Sequence, residues 1–505
     1  MIPDDIHTEI LSFRNRNGVA YRDLDLTVTY KQLYNRILRT CSFFDSKGLV
    51  KGQVVVTVAH KSPDTIHLMY ACWLSGLTFC PIDPSQPLIR QESMLSALPV
   101  GIFIYGEGQY KEINNLIDRS TSLGWQVSPV EEGTTYSPLS EFPPNDPSCI
   151  AYVLFTSGST GSPKGVQISQ GNLSAFLRNF YPRYSDDSSA RYLSIGSYHF
   201  DMTLLDCVVP AIHGHETFLY HYPLVGDFFA TIIREFRINR FCAVPSVLNL
   251  LINYRSNIIS KETLSNIDTI LLGAERPNIK DLKFLLSIRP QMNIINAYGP
   301  TEATICCFAK EFLNAEDLRN GRLPIGRPFH GVRWLIEKDQ ELIRSKGVGV
   351  LYVAGPQVMQ GYLSCDSRPQ DPFVYVGDTV YYRTGDLVEV GEDGIFYFVG
   401  RRDDEVKIKG HRIHLQDVAL NAARALRLRE VEALCVGPAG SERLILVYCS
   451  DSLLDASDHE LLRKNLPSSM LPDELVNVKG MPRLNSGKVN RRQLKEVVDA
   501  LLPIH

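Results

Sequence analysis

The sequence predicts an α/β fold, with a large N-terminal domain of layered parallel sheets and helices plus a β-rich subdomain, and a small α+β C-terminal domain. Three observations predict it. Short apolar runs alternate with helix-spaced segments through roughly the first 300 residues, the pattern of parallel α/β layers. Polar motifs follow directly on several of those runs, where ligands gather outside the carboxyl ends of parallel strands. From about residue 320 the texture turns to glycine-punctuated short strands, and a dense polar segment at 400–412 precedes a final stretch able to form a unit of its own.

In chain order, Gln53–Val58 reads as a strand, and Ser62-Pro63-Asp64 supplies an N-cap, a proline at the first helical position and an early acid. Ile66, Met69, Tyr70, Trp73 and Leu74 follow at helical spacing, Gly76 is a stop, and Leu77–Cys80 is a short strand. Ala151–Phe155 and Val166–Ile168 are strands on either side of a small-residue loop. The stretch 228–236 reads as a helix, and 240–244, 269–272 and 293–296 as strands. Val348–Val353 and 394–399 represent the later β-rich texture. A domain boundary is placed at Arg402–Asp403, giving units 1–402 and 403–505.

With 505 residues the chain can build one large domain and at least one smaller one. A formal charge of -4 gives no electrostatic reason to expect nucleic acid or an anionic membrane. The 11 cysteines are scattered without a CxxC pair, which suits reduced thiols in a cytosol-like compartment. The acidic start lacks a secretory pattern, and no apolar run reaches bilayer length. The expectation is a cytoplasmic protein acting on neither nucleic acid nor membrane.

The loop from Thr156 to Gly165 joins hydroxyls, unobstructed backbone N–H groups and the cation Lys164. Such a loop can wrap a polyanion; it reads equally as a solvated hairpin. It is not the Walker pattern, because Lys164 does not directly follow the second glycine.

Five motifs stand in one order: LFTSGSTGSPKG at 154–165, HFDMT at 199–203, NAYGPTEAT at 296–304, YRTGDL at 382–387 with GRRDDEVKIKGHRI at 400–413, and RLNSGKVNR at 483–491. On these motifs the chain resembles the adenylate-forming enzymes. Within them it resembles the amino-acid adenylation domains of nonribosomal peptide synthesis and the D-alanyl carrier protein ligases. The resemblance runs from VTYKQL at 28–33 to the end of the chain. It implies activation of a carboxylate by ATP with Mg²⁺, release of pyrophosphate, and transfer of the acyl group to a phosphopantetheine thiol.

The residue roles are those the resemblance implies. Thr156, Ser157, Gly158, Ser159, Thr160, Gly161 and Lys164 form the loop that cradles the β- and γ-phosphates. Gly273, Ala274, Glu275, Asn296, Ala297, Tyr298 and Gly299 lie along the nucleotide, with Tyr298 against adenine. Thr301 meets the α-phosphate, Glu302 the magnesium, and Asp386 the ribose hydroxyls with Arg401 as a further candidate. Lys488 is the catalytic lysine, carried into the site on a C-terminal loop to offset developing charge. Asp403 is the hinge about which a mobile small domain turns between adenylation and thioester formation, bringing Val406–Gly410 to face the thiol.

Asp201, in Phe200-Asp201-Met202-Thr203, matches the aspartate that pairs with a substrate α-ammonium; read locally, it is also an N-cap for the following helix. The matching side-chain pocket is Met202, Leu205, Ala243, Ile270, Leu272, Ala297, Ile305 and Cys306. None is charged, which disfavours a charged side chain and points to a small or medium apolar amino acid. Leu77-Thr78, Val350 and His414-Leu415-Gln416 depart from the family pattern, the last near the expected carrier-binding face. With no condensation-like or carrier-attachment motif, the expectation is a free-standing ligase loading a separate carrier protein. An acyl- or aryl-CoA synthetase is the alternative enzyme, and a binding protein that has lost turnover the non-enzyme reading.

Overall fold

The computed structural model of the chain describes residues 5–502 except 59, 107–109, 131–141, 143–144, 158–162, 181–188, 225, 254–260, 313–317, 319–322, 365–371, 403–404, 439–440, 451 and 484–488. Of the expected site residues, Gly158, Ser159, Thr160, Gly161, Asp403 and Lys488 lie outside the described residues.

The helix Pro63–Leu74 shows how local chemistry sets these elements. The Ser62 hydroxyl accepts the Thr65 N–H, proline occupies the first turn and Asp64 faces the helix N-terminus. Gly76, at φ +69°, turns the chain out into the strand Thr78–Ile82. Every residue of this helix except Asp64 is buried. Its Trp73 indole donates to the Ala151 carbonyl at 2.9 Å, fixing the helix against the strand Ile150–Thr156.

Two sheets form the bulk of the protein. In the seven-stranded one, Gln126–Val130, Ile102–Gly106, Val54–Val58, Thr78–Ile82 and Ile150–Thr156 run parallel. Lys164–Ser169 and Gly361–Ser364 then add antiparallel. The large sheet has a parallel centre of Glu216–Leu219, Arg191–Ser194, Arg240–Ala243, Thr269–Leu272 and Asn293–Tyr298. From Phe308–Phe312 onward it continues antiparallel, which is the glycine-punctuated texture of the later sequence. One continuous apolar cluster, with Trp73, Tyr70, Phe176 and Phe308 at its centre, takes residues from both sheets.

Beyond the polar segment, Glu405–Ile408 and His411–His414 pair as a hairpin. The helix Leu415–Leu426 and a three-stranded sheet of Val431–Val436, Arg443–Tyr448 and Glu474–Asn477 follow. These residues pack in two apolar clusters of their own, around Ile413 and Leu446 and around Ile445 and Leu494. Among the described residues, no helix is long and apolar enough to cross a membrane.

Gly165 is closely packed in the hairpin of Ile150–Thr156 and Lys164–Ser169. A Cβ there would lie 2.9 Å from Val153 Cγ1 and 3.2 Å from Leu363 Cβ. Gly165→Ala should therefore cost about 1–3 kcal/mol through overpacking, read as a lower denaturation midpoint. An unchanged midpoint would mean that the three strands separate freely.

Candidate active site

Six strand ends converge on one cavity of about 530 Å³. Thr156 ends Ile150–Thr156, Ile195 follows Arg191–Ser194, Tyr220 follows Glu216–Leu219, Ala243 ends Arg240–Ala243, Ala274 comes just beyond Thr269–Leu272, and Gly299 follows Asn293–Tyr298. This is the place where parallel sheets present ligands. The 405–414 hairpin and the short helix Ser468–Met470 close the cavity from the C-terminal side.

Of the expected site residues, Thr156, Ser157, Asp201, Met202, Ala243, Ala274, Gly299, Thr301, Ile305, Asp386 and Arg401 line this cavity. Gly299 is needed where it stands, because a Cβ would come 2.5 Å from the Cys306 Cα across the turn. The other expected residues among those described do not line it. Leu205, Ile270, Leu272, Ala297 and Cys306 are buried in the apolar clusters. Asn296 donates to the Pro324 carbonyl at 2.9 Å. Met202 lies over Gly273, its Cε 3.2 Å from where a Cβ would be. The wall also includes Tyr220, Tyr222, Leu224, Cys242 and Val247, and the charged residue Asp206, whose Oδ1 accepts Ser194 Oγ at 2.6 Å.

Asp201 does not cap a helix. The helix Thr203–Ile212 begins after Met202 with no side-chain cap, and Asp201 Oδ2 is buried without a hydrogen-bond partner. Burial pushes its carboxyl up to about 6, against the pull of the Thr301 hydroxyl and the Lys407 ammonium. An uncompensated carboxylate of this kind is costly in the free protein.

Glu302 is the opposite case. It has 0% exposure, and both carboxylate oxygens accept Arg412 Nη1, at 2.8 and 2.7 Å. The Tyr362 hydroxyl donates to Oε1 at 2.5 Å. Burial opposes ionisation of Glu302, but Arg412 and Tyr362 outweigh it and hold the carboxyl below its ordinary value. Asp386 is likewise engaged: Oδ1 accepts Arg401 at 2.6 Å and Oδ2 accepts the Tyr298 hydroxyl. Arg401 and Arg412 share Glu405.

The hairpin meets the remaining nucleotide candidates through its backbone. Ser157 Oγ donates to the Arg412 carbonyl at 2.8 Å. Glu275 accepts the Gly410 N–H and, at 2.8 Å, the Ser246 N–H. Lys164 stands with its ammonium 5.4 Å from the Tyr362 ring centroid. Arg483 and Val489, which flank 484–488, bridge one another, and neither lines the cavity.

Several lining residues lay outside the expected set. Lys407 faces the cavity from the hairpin; burial lowers its pKa while Asp386 and Asp201 oppose that. His411 packs edge-on to Phe200 at 4.9 Å, and burial pushes it down to about 4, so it is neutral near pH 7. His199 accepts or donates to Ser197 at 2.8 Å and lies 3.6 Å from Asp83. The sequence signals for Lys407 were its place in the polar 400–413 segment and in Val406–Gly410, expected to face the thiol, and for His411 the polar segment alone; Asp83 and His199 gave none beyond a turn and a motif edge.

Could Glu302 hold Mg²⁺ here? Among the described residues no three His, Cys, Asp or Glu side chains gather as a metal site, and Arg412 supplies the cation that Glu302 needs. One carboxylate suffices for Mg²⁺ only with phosphate oxygens and water beside it. In this arrangement the residues do not fit the ion.

Arg412→Gln should expose the cost of burying Glu302, about 3–5 kcal/mol at neutral pH. In the wild type the depressed Glu302 pKa stabilises the fold above the ordinary value of 4.5 and that contribution fades as pH falls through the folded value. The variant's deficit in thermal melts should therefore be large at about pH 7 and shrink towards about pH 4. Equal deficits at both would show that packing, not charge, is lost.

The comparisons with known proteins agree with this geometry. The chain is 28% identical over 498 residues to an L-proline--[L-prolyl-carrier protein] ligase of Pseudomonas fluorescens, covering 94% of each chain. It is 27% identical over 478 residues to surfactin synthase subunit 3 of Bacillus subtilis, where it spans only 36% of that protein. PA1221, an NRPS protein containing adenylation and PCP domains, solved with a vinylsulfonamide inhibitor, superimposes with a TM-score of 0.83 at 23% identity, over 98% of this chain and 84% of that one; this likeness is one of fold. A family model for the AMP-binding enzymes matches residues 12–363, well over half of the sequence, and the chain therefore belongs to the AMP-binding enzyme family.

Proposed function

We propose that this protein activates an amino acid with ATP and passes the aminoacyl group to the phosphopantetheine thiol of a separate carrier protein. In the first half-reaction a carboxylate oxygen of the amino acid attacks the α-phosphorus and pyrophosphate leaves. In the second, the thiol sulfur attacks the acyl carbon, AMP departs and the thiol proton goes to solvent. The observation that carries the reading is Asp201, a carboxylate with a free buried oxygen on the wall of the cavity. An α-ammonium is the cation that such an oxygen lacks. The same contact gives no advantage to a fatty or aryl acid.

The chain's other groups take these roles on this reading. Thr156, Ser157 and Lys164 hold the phosphates, Thr301 the α-phosphate, and Asp386 with Arg401 the ribose. Glu302 serves the nucleotide's Mg²⁺ once Arg412 has withdrawn. Lys488 offsets charge in adenylation. The seated hairpin, with Lys407 and Gly410 at the cavity, suits the transfer half-reaction. Met202, Ala243 and Ile305 favour a small or medium apolar side chain, with Asp206 held by Ser194 rather than offered to the substrate.

The test is amino-acid-dependent exchange of labelled pyrophosphate into ATP across the proteinogenic amino acids, D-alanine, and several aryl and fatty acids. Exchange with an apolar amino acid supports the proposal; exchange only with aryl or fatty acids overturns it in favour of a CoA ligase.

Asp201→Asn should abolish most amino-acid-dependent exchange while raising stability. The folded pKa of about 6 exceeds the ordinary 3.8, so wild-type ionisation costs roughly 3 kcal/mol at about pH 7. That cost is absent below the unfolded pKa and sets in as pH rises through the folded one. The Asn variant should melt higher near pH 7 and lose this advantage near pH 4. The wild type's affinity for the amino acid should rise from about pH 5 to about pH 7. A variant with full exchange, or with no pH-dependent gain in melting, would remove Asp201 from this role.

A further inference from the structure

A serine, a histidine and an aspartate meet on the cavity wall and have no part in the roles given so far. Ser197 Oγ and His199 Nδ1 are hydrogen-bonded at 2.8 Å, and His199 Nε2 stands 3.6 Å from Asp83 Oδ2. All three residues line the cavity. Ser197 and His199 lie on the segment that leads to Asp201, whereas Asp83 follows the strand Thr78–Ile82 in the other sheet.

Several hydrogen bonds hold the turn that carries the pair. The Thr203 hydroxyl donates to the Ser197 carbonyl at 2.7 Å, and the Phe200 N–H donates to the same oxygen at 3.0 Å. Lys61 donates to Ser194 Oγ and to the Gly196 carbonyl. Gly196 has no room for a side chain, since a Cβ would fall 2.8 Å from Thr203 Oγ1. The Tyr198 hydroxyl donates to the Ser62 carbonyl at 3.2 Å. The His199 ring lies 4.2 Å from the Phe200 ring, which meets His411 of the hairpin at 4.9 Å. Donors and acceptors fixed in this way make a pre-organised site for proton transfer.

The loop that carries Asp83 also offers two unfilled positions. Gln86 Oε1, an acceptor, and Arg90 Nε, a donor, are buried without hydrogen-bond partners, and both residues line the cavity. A pantetheine arm carries amides, each with an N–H and a carbonyl, and so answers both needs. The groups facing the His199 imidazole are Asp83 from this loop and His411 from the hairpin, itself under the influence of Lys409, with Asp201 following on its own segment. Burial lowers the His199 pKa against the pull of Asp83, so the ring is neutral near pH 7 and able to take a proton.

We propose that Ser197, His199 and Asp83 form a relay that takes the proton of the pantetheine thiol as its sulfur attacks the aminoacyl-adenylate. This rests on the thiol-transfer half of the proposed function. The Ser197 hydroxyl accepts the S–H proton and passes its own to His199 Nδ1. The sulfur electron pair forms the C–S bond, and the bond from the acyl carbon to the phosphate oxygen breaks, its electrons leaving with AMP. The imidazolium then has an acceptor at each nitrogen, Ser197 Oγ and the Asp83 carboxylate, and returns to neutral by losing one proton to solvent.

The test is single-turnover transfer from the preformed aminoacyl-adenylate to free pantetheine, from about pH 6.5 to about pH 9. It uses the full chain and the amino acid that supports pyrophosphate exchange, with exchange measured alongside, for the wild type, Ser197→Ala, His199→Asn and Asp83→Asn. Near pH 7 the ratio of transfer to exchange should fall about a hundredfold in the Ser197 and His199 variants, the lower end of what a general base supplies, and by less in Asp83→Asn. The deficit should close towards about pH 9, because a thiol with an ordinary pKa of about 8.5 ionises there unaided. Lost packing would not follow that titration. Ser197→Ala removes a single hydroxyl, so the relay is decided even if His199→Asn fails to fold. A wild-type ratio in either variant, or a deficit constant across the pH range, overturns the relay alone. Exchange without transfer by the wild type overturns the thiol-transfer reading with it, and absence of exchange overturns the activation reading.

Discussion

The buried pair between Arg412 and Glu302 is the interaction on which the arrangement of this site depends. A carboxylate without solvent exposure is tolerated only if a cation and further hydrogen bonds replace its water. Arg412 supplies the cation from the hairpin, and Tyr362 the additional donor from the seven-stranded sheet. Arg412 turns its other nitrogens to Glu405, which also binds Arg401, which binds Asp386, which accepts the Tyr298 hydroxyl. Charges of alternating sign therefore run from the 301–306 turn through the hairpin to the long strand Thr379–Val390.

Asp201 lies outside that chain. Glu302, Asp386 and Glu405 each face a guanidinium, while Asp201 Oδ2 has no hydrogen-bond partner. Lys407 moderates the Asp201 charge across the cavity without bonding to it. On the proposed reading, a substrate α-ammonium would take the free Asp201 oxygen while the substrate carboxylate would meet the hairpin's basic residues. On the proposed reading the hairpin also occupies nucleotide positions, since Arg412 puts its guanidinium on Glu302 and its carbonyl on the Ser157 hydroxyl.

How much of this was legible in the sequence divides along a physical line. Strands and caps were legible because their causes are local: Ser62 caps with its own hydroxyl, and the apolar runs at 240–244 and 269–272 pair side by side. The motif residues that end parallel strands, such as Thr156 and Ala274, reach the cavity because strand direction alone places them there. The substrate wall was less legible. Leu205, Ile270 and Leu272 sit behind it, while Tyr220 and Tyr222 come forward from a loop and Val247 from the helix Pro245–Asn253, whose placement depends on packing. Tyr362 carried no local signal, since its partner Glu302 stands 60 positions away, and the polar segment that holds Lys407 and Arg412 did not reveal which carboxylates those two face. No local spacing encodes such a meeting.

Among the described residues, the polar attachments of the C-terminal side to the larger body include Arg412 with Glu302 and Ser157, Gly410 with Glu275, Glu405 with Arg401, and Asp417 with Arg90 at 3.5 Å. The apolar clusters on the C-terminal side close among themselves, so withdrawal opens no core. Gly410 fits because it has no side chain, a Cβ there falling 2.8 Å from Val244 Cγ1. Close fit without shared core gives an interface that is specific in position and modest in strength. On the proposed reading, a cation arriving with the phosphates would compete with Arg412 for Glu302, and one buried carboxylate would tie the seat of the hairpin to the contents of the cavity.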